Sequence, residues 1–198
     1  MIYELSELFY SIQGEGLLQG LPMVFVRLAG CNLRCNFCDT GYAWGKGRRK
    51  DVRRIVKEIE RYPCKRVCIT GGEPYLQNLS PLVDTLKQKK YWIAVETNGT
   101  IWQELSIDWV TVSPKKEGTK FFKCGYDDRF LKVADEFKYV ITDIKDMGFI
   151  DHRIKVPVIL QPVSNDMEIA RKIMKALKKN PQKSWYLRMQ LHKIMGIR

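Results

Sequence analysis

The chain has 198 residues, enough for one domain with a full hydrophobic core and fewer than the ~250 typical of a complete eight-stranded βα barrel. Its 34 Lys and Arg against 22 Asp and Glu leave a net charge of +12, which suits an anionic substrate or an acidic protein partner. Much of that charge falls on helical faces such as Arg53, Arg54, Lys57 and Arg61, a solvated-surface pattern, so direct nucleic-acid binding is not expected. The opening Met1-Ile-Tyr-Glu-Leu-Ser-Glu is acidic and alternating, unlike a signal peptide, and no apolar run is long enough to span a bilayer. A cytoplasmic protein with reduced thiols and no membrane partner is expected. No repeat or linker divides the sequence, so 1–198 reads as a single domain.

Branched and aromatic runs predict strands over residues 23–29, 66–70, 91–97, 109–113, 137–141, 156–161 and 185–190. Helices alternate with them. One is predicted over 51–62, with Val52, Ile55, Val56 and Ile59 on one face. Another opens at Ser80-Pro81, with Ser80 as N-cap and Leu82, Val83 and Leu86 facing inward. A third covers 166–179, with Ala170, Ile173, Met174 and Leu177 inward. The stretch 115–129 has no period and contains Gly118, Gly125 and the pair Asp127-Asp128, so it reads as a long loop of the kind that often forms a lid. Strand and helix in alternation specify an α/β fold with a parallel sheet. At this length it becomes a partial, laterally open parallel βα barrel of about six strands.

The unusual polar clusters fall where strands end: Gly30 and the cysteines, Gly71-Gly-Glu73-Pro74, Glu96-Thr-Asn98-Gly99, Ser113-Pro-Lys115, Gln161-Pro162 and Gln190-Leu-His192. In parallel barrels that face carries the active site, because its loops converge on one mouth. Cys31-Asn-Leu-Arg-Cys35-Asn-Phe-Cys38 offers three thiols spaced CxxxCxxC. Zinc sites normally come as two separated pairs, and a structural zinc would need a distant fourth ligand from Cys64, Cys68, Cys124, His152 or His192. An iron-sulfur cluster held by three thiolates instead keeps one iron open for chemistry. Cys68 lies inside an apolar strand and reads as core filling; Cys64 and Cys124 carry no signal.

Gly71-Gly72-Glu73-Pro74 is either a strand-to-helix turn or a place where backbone approaches a ligand. Arg27 shares a strand face with Met23, Phe25 and Ala29, where its charge needs an anion. That anion is a ligand carboxylate held by the guanidinium fork or an internal Asp or Glu.

The spacing with Phe37 resembles the radical S-adenosylmethionine (SAM) superfamily. Phe9-Tyr-Ser-Ile-Gln13-Gly-Glu15-Gly16, Arg27-Leu-Ala-Gly-Cys31, Cys38-Asp-Thr40, Thr70-Gly-Gly-Glu-Pro74, Glu96-Thr-Asn-Gly99, Ser113-Pro-Lys115 and Gln190-Leu-His-Lys193 narrow the resemblance to the 7-carboxy-7-deazaguanine synthase family, in order from residue 3 to residue 193.

The resemblance implies a pared-down barrel of the radical SAM type, acting as a homodimeric carbon-nitrogen lyase. It implies conversion of 6-carboxy-5,6,7,8-tetrahydropterin into 7-carboxy-7-deazaguanine and ammonia by radical ring contraction, in deazapurine biosynthesis of the queuosine or archaeosine type. The implied cofactors are a 4Fe-4S cluster on Cys31, Cys35 and Cys38, SAM, and Mg2+ at the hydroxyl of Thr40. SAM would be held by Phe37, Cys38, Asp39, Gly72, Glu73, Ser113, Pro114, Lys115, Gln161, Pro162, Val163 and Ser164. Substrate would be held by Ile12, Gln13, Gly14, Glu15, Arg27, Thr70, His192 and the carboxylate of Arg198. A lone histidine is more often an ordinary hydrogen-bonded residue, but His192 is expected to end the last strand. A low-potential donor, flavodoxin or ferredoxin, would supply electrons. The rival readings are an activase that installs a glycyl radical on a partner, or a basic nucleic-acid-binding module with a structural metal.

Overall fold

The computed structural model describes residues 1–117, 120–121, 125–181 and 183–197. β1 (Ile2–Ile12) and β2 (Pro22–Leu28) form an antiparallel hairpin, and β3 (Arg48–Asp51) pairs antiparallel with β1. Next come α1 (Val52–Ile59), β4 (Arg66–Gly71), α2 (Ser80–Gln88), β5 (Trp92–Thr97) and β6 (Trp109–Val112). The short pair β7 (Lys116–Glu117) and β8 (Lys120–Phe121) precedes α3 (Phe130–Val133), β9 (Glu136–Ile141) and β10 (Val158–Pro162). The chain continues through α4 (Met167–Lys179), β11 (Trp185–Leu187) and α5 (Leu191–Met195).

The nine-stranded sheet runs β11-β10-β9-β6-β5-β4-β2-β1-β3. Every neighbouring pair from β2 to β11 is parallel. Among the described residues its two edge strands, β11 and β3, do not meet, so the barrel stays open. The expected parallel set is present, and β1 and β3 extend it on the N-terminal side. β3 is Arg-Arg-Lys-Asp, a polar edge strand with no apolar period to betray it. β1 carries a register shift between Leu5 and Glu7, which breaks its two-residue alternation.

Other boundaries moved for local reasons. β11 stops at Leu187, and His192 belongs to the helical turn α5 rather than to a strand end. Ser80 is the first helical residue of α2, with Leu79 in the cap position and no side-chain cap. Met174 is 42% exposed instead of inward, while Ala170 and Ile173 are buried as expected. Part of the predicted loop 115–129 pairs as β7 and β8; Cys124 lies outside the described residues.

Strand alternation divides the interior in two. Val24, Val26, Val67, Ile69, Ile93, Val95, Val110, Val112, Phe137 and Tyr139 face the helices and form the main core with Ile55, Ile59, Leu82 and Leu86. The opposite face is the barrel lumen. Its floor is a small apolar plug of Met23, Phe25, Cys68 and Ala94, with Phe9, Leu18, Trp92 and Trp109 against it. One residue pair further along the strands the same face turns polar. Arg27 is in register with Thr70, Glu96 with Thr111, and Thr111 with Glu136. This polar tier crosses five adjacent strands and floors the site.

Candidate active site

Above the polar tier lies a cavity of about 370 Å³. Cys31, Cys35 and Cys38 all line it. Their loop is fixed at both ends by backbone bonds: Gly30 N donates to Ala43 O at 2.8 Å, and Glu73 N donates to Gly30 O at 2.8 Å. Asn32 pins the loop sideways, donating to Thr100 Oγ1 at 2.8 Å and accepting from Asn98 Nδ2 at 3.0 Å. The backbone passes so close at Gly72 that an added Cβ would lie 2.1 Å from Gly30 O and 2.8 Å from the Cβ of Cys31.

Gly71 has φ +146°, and a Cβ there would lie 2.1 Å from Leu28 O. Gly71→Ala therefore combines an unfavourable backbone conformation with a backbone clash and is expected to destabilise the fold by roughly 3 kcal/mol or more. Denaturant midpoints of variant and parent check this, and a loss within experimental error would contradict the geometry.

Most of the expected site residues meet at this cavity. Ile12, Gln13, Gly14, Glu15, Arg27, Phe37, Asp39, Thr40, Thr70, Gly72, Ser113, Lys115, Gln161, Val163, Ser164 and His192 all line it. Glu73, Pro114 and Pro162 are not on its wall. The Glu73 carboxylate turns away to accept from Tyr75 N at 3.0 Å, Thr97 Oγ1 at 2.8 Å and Asn98 N at 2.7 Å. It ties the glycine turn to the end of β5, and burial pushes its carboxyl up despite those bonds. Arg198 lies outside the described residues.

Arg27 has an internal partner. Its Nε donates to Glu7 Oε1 at 2.8 Å, from the directly paired position on β1, and Tyr42 Oη donates to the same oxygen at 2.6 Å. The charge on this strand face is thus balanced within the protein, and no ligand is needed to hold it there.

The β1–β2 connection folds under the lumen and reaches the C-terminal segment. Leu191 N donates to Gly14 O at 2.8 Å, and Gln19 Nε2 bonds both Gly14 O and Met189 O. The imidazole of His192 rests on Gly14, where an added Cβ would be 2.1 Å from Nδ1. Glu15 enters the cavity from this connection. It accepts from Gln190 Nε2 at 2.7 Å and Gln161 Nε2 at 3.2 Å, and pairs with Lys138. Asp39 accepts from Gln190 Nε2 at 2.8 Å, Lys193 Nζ at 2.6 Å and Thr40 Oγ1 at 3.0 Å. Burial pushes the Asp39 carboxyl up, but Lys193 beside it outweighs that and holds it well below the usual range. Glu15, Asp39 and His192 bring ligand-capable atoms within 4.8 Å of one another; lysine and amide donors already occupy the two carboxylates.

Sequence reasoning assigned no role to Lys138, Glu96, Gln190 or Lys193, all on the cavity wall. A signal for the first was present: in Glu136-Phe-Lys138-Tyr-Val-Ile two charged residues share one face of an otherwise apolar strand.

A protein-family model described as the radical SAM superfamily matches residues 25–171. With three cysteines at the mouth of an open parallel barrel, the chain belongs to that superfamily. Within it, three relatives named 7-carboxy-7-deazaguanine synthase align over nearly the whole chain. The protein from Bacteroides thetaiotaomicron is 37% identical and covers 100% of both chains. That from Aquifex aeolicus is 35% identical, covering 98% of this chain and 94% of its own. That from Escherichia coli is 30% identical, with both chains fully covered. The crystal structure of QueE from Escherichia coli superimposes with a TM-score of 0.79 at 28% identity, covering 96% of this chain and 95% of the other. The chain is a member of the 7-carboxy-7-deazaguanine synthase family.

Proposed function

We propose that this protein is a radical SAM lyase converting 6-carboxy-5,6,7,8-tetrahydropterin into 7-carboxy-7-deazaguanine and ammonia. The observation that carries the reading is one cavity lined on one side by Cys31, Cys35 and Cys38 and on the other by the polar tier of Arg27, Thr70 and Glu96. Cys31, Cys35 and Cys38 would hold a 4Fe-4S cluster, whose open iron and bound SAM supply radical chemistry when present. The donor set fits SAM as well. Among the described residues Gln161 Oε1 is a buried acceptor without a protein partner, and Gly72, Ser113 and Lys115 line the same space. Phe37, Cys38, Asp39, Val163 and Ser164 complete this side, with Glu73, Pro114 and Pro162 supporting it from behind the wall.

The protein's own residues bind and orient the pterin. Arg27 faces the substrate carboxylate, Glu15 and Glu96 accept from its N–H edge, and Ile12, Gln13, Gly14, Thr70 and His192 frame the ring. The basic surface suits an acidic low-potential donor such as flavodoxin or ferredoxin, and the working unit is a cytoplasmic homodimer. Reduced, reconstituted protein incubated with SAM and the pterin should give a product of the deazaguanine's mass. Colourless protein containing zinc after anaerobic purification would favour a structural-metal module instead.

Magnesium enters the reading through Thr40, whose hydroxyl is a hard oxygen donor beside the cysteine loop. Thr40→Ala is expected to depress turnover and blunt its response to added magnesium while leaving SAM binding nearly intact. Unchanged magnesium activation would remove Thr40 from the site.

A further inference from the structure

Lys138 is an ammonium group buried among carboxylates. It projects from β9 into the lumen, 5% exposed, and pairs with Glu15 from the β1–β2 connection and, at 3.4 Å, with Glu96 from β5. Glu136, on the same face of β9, adds a third carboxyl group, itself bonded by Thr111 Oγ1 at 2.9 Å and Leu17 N at 2.8 Å, and burial pushes this carboxyl up. Lys115 is a second cation nearby, and its ammonium is disfavoured first by burial and then by Lys138. Asp39 adds a further negative charge near Glu15. Well-packed apolar groups often replace a buried ion pair without loss of stability, so stability alone does not account for a lysine here.

We propose that Lys138 is a positioning residue for substrate recognition, lying between Glu15 and Glu96 and keeping Glu15 an acceptor-only carboxylate, so that the two side chains face the adjacent N–H donors of an amino-pyrimidinone ring. The inference rests on the pterin reading of this cavity and deepens it. Both carboxylates line the cavity, and each is bonded on its protein side by uncharged donors. Gln13 Nε2 donates to Glu96 Oε1 at 3.2 Å and Thr70 Oγ1 to Glu96 Oε2 at 3.0 Å, while Gln190 and Gln161 serve Glu15. An ionised carboxylate can only accept, whereas a protonated one presents an O–H that opposes a 2-amino group or ring N–H. Two carboxylates sharing a buried site do not both stay ionised without a cation between them. Burial alone would push Glu15 up; the Lys138 charge and hydrogen bond, with Gln190, reverse this against the Asp39 charge and bring it down to about 2.

Without the ammonium, burial and the charge of Asp39 both favour protonation of Glu15. The acceptor form is then lost as pH falls through the raised pKa, and an acid limb enters the rate profile. The test is kcat/KM for 6-carboxy-5,6,7,8-tetrahydropterin against pH for the wild type and Lys138→Met, whose side chain keeps the stem without the charge. The variant is expected to lose roughly tenfold per pH unit below a new pKa that the wild type lacks. Infrared spectra of the cluster-free variant should show an additional protonated-carboxyl band near neutral pH. If Lys138→Met does not fold, Glu96→Gln is compared with Lys138→Met/Glu96→Gln, and the acid limb should appear only in the double variant. A loss by the same factor at every pH, or no additional band, overturns the proposal. Wild-type protein that does not turn over the pterin overturns the functional reading itself; wild-type turnover with a variant profile of unchanged shape overturns only the role of Lys138.

Discussion

Alanine at Cys31, Cys35 or Cys38 is expected to abolish both the iron-sulfur absorbance and turnover, because a three-thiolate set has no ligand to spare. Alanine at Cys64 or Cys68 is expected to leave both in place. The thiol of Cys64 is spent on Pro22 O at 3.2 Å. Cys68 is fully buried in the lumen plug with Met23, Phe25 and Ala94, beneath the polar tier, and burial first of all pushes its thiol well up, away from the thiolate a metal requires. Its replacement should cost only the order of 1 kcal/mol expected for removing a small buried group. Absorbance at the cluster band, measured with a folding control on each variant, decides the matter. Cluster loss at Cys68 with the fold intact would reassign the ligands.

The second large effect is expected at Arg27. On the proposed placement of the pterin, Arg27→Ala would remove a charge-assisted contact to the substrate carboxylate, and it also takes from Glu7 Oε1 the guanidinium that it shares with Tyr42 Oη. A loss of about 3 kcal/mol, or on the order of 10²-fold in kcat/KM for the pterin, follows from contacts of this class. Arg27→Lys should recover little, since an ammonium cannot reproduce the planar fork. Separate titrations with SAM and with the pterin locate the effect. Equal weakening of both, or weakening of SAM alone, would place this arginine in another subsite.

The parallel strands and their helices were legible because their periods are written in apolar residues, as in Val67-Cys68-Ile69-Thr70 and in Ile55, Val56 and Ile59. The cysteine loop was legible because three thiols in eight residues admit few other uses. What stayed hidden depends on distance. Glu7 could not be recognised as the partner of Arg27 before the β1–β2 register was known. The turn of the Glu73 carboxylate away from the cavity follows from Thr97 and Asn98 arriving beside it, which the motif alone does not encode. Lys138 was overlooked because its strand was read by its apolar face, Phe137, Tyr139 and Ile141, while its function sits on the other.

The contact between the β1–β2 connection and the C-terminal segment sets an order of assembly. Glu15 and Gln190 are 175 residues apart, whereas Asn32 and Asn98, which steady the cysteine loop, are separated by 66. Contacts of long sequence separation close late, because the entropy of closing the loop is lost before they reward it. The cysteine loop can therefore become ordered on a chain whose pterin-facing wall is still open. Refolding followed by two probes should show this as cluster-binding competence recovered ahead of pterin binding, with the slower phase belonging to the meeting of Gly14 and Leu191.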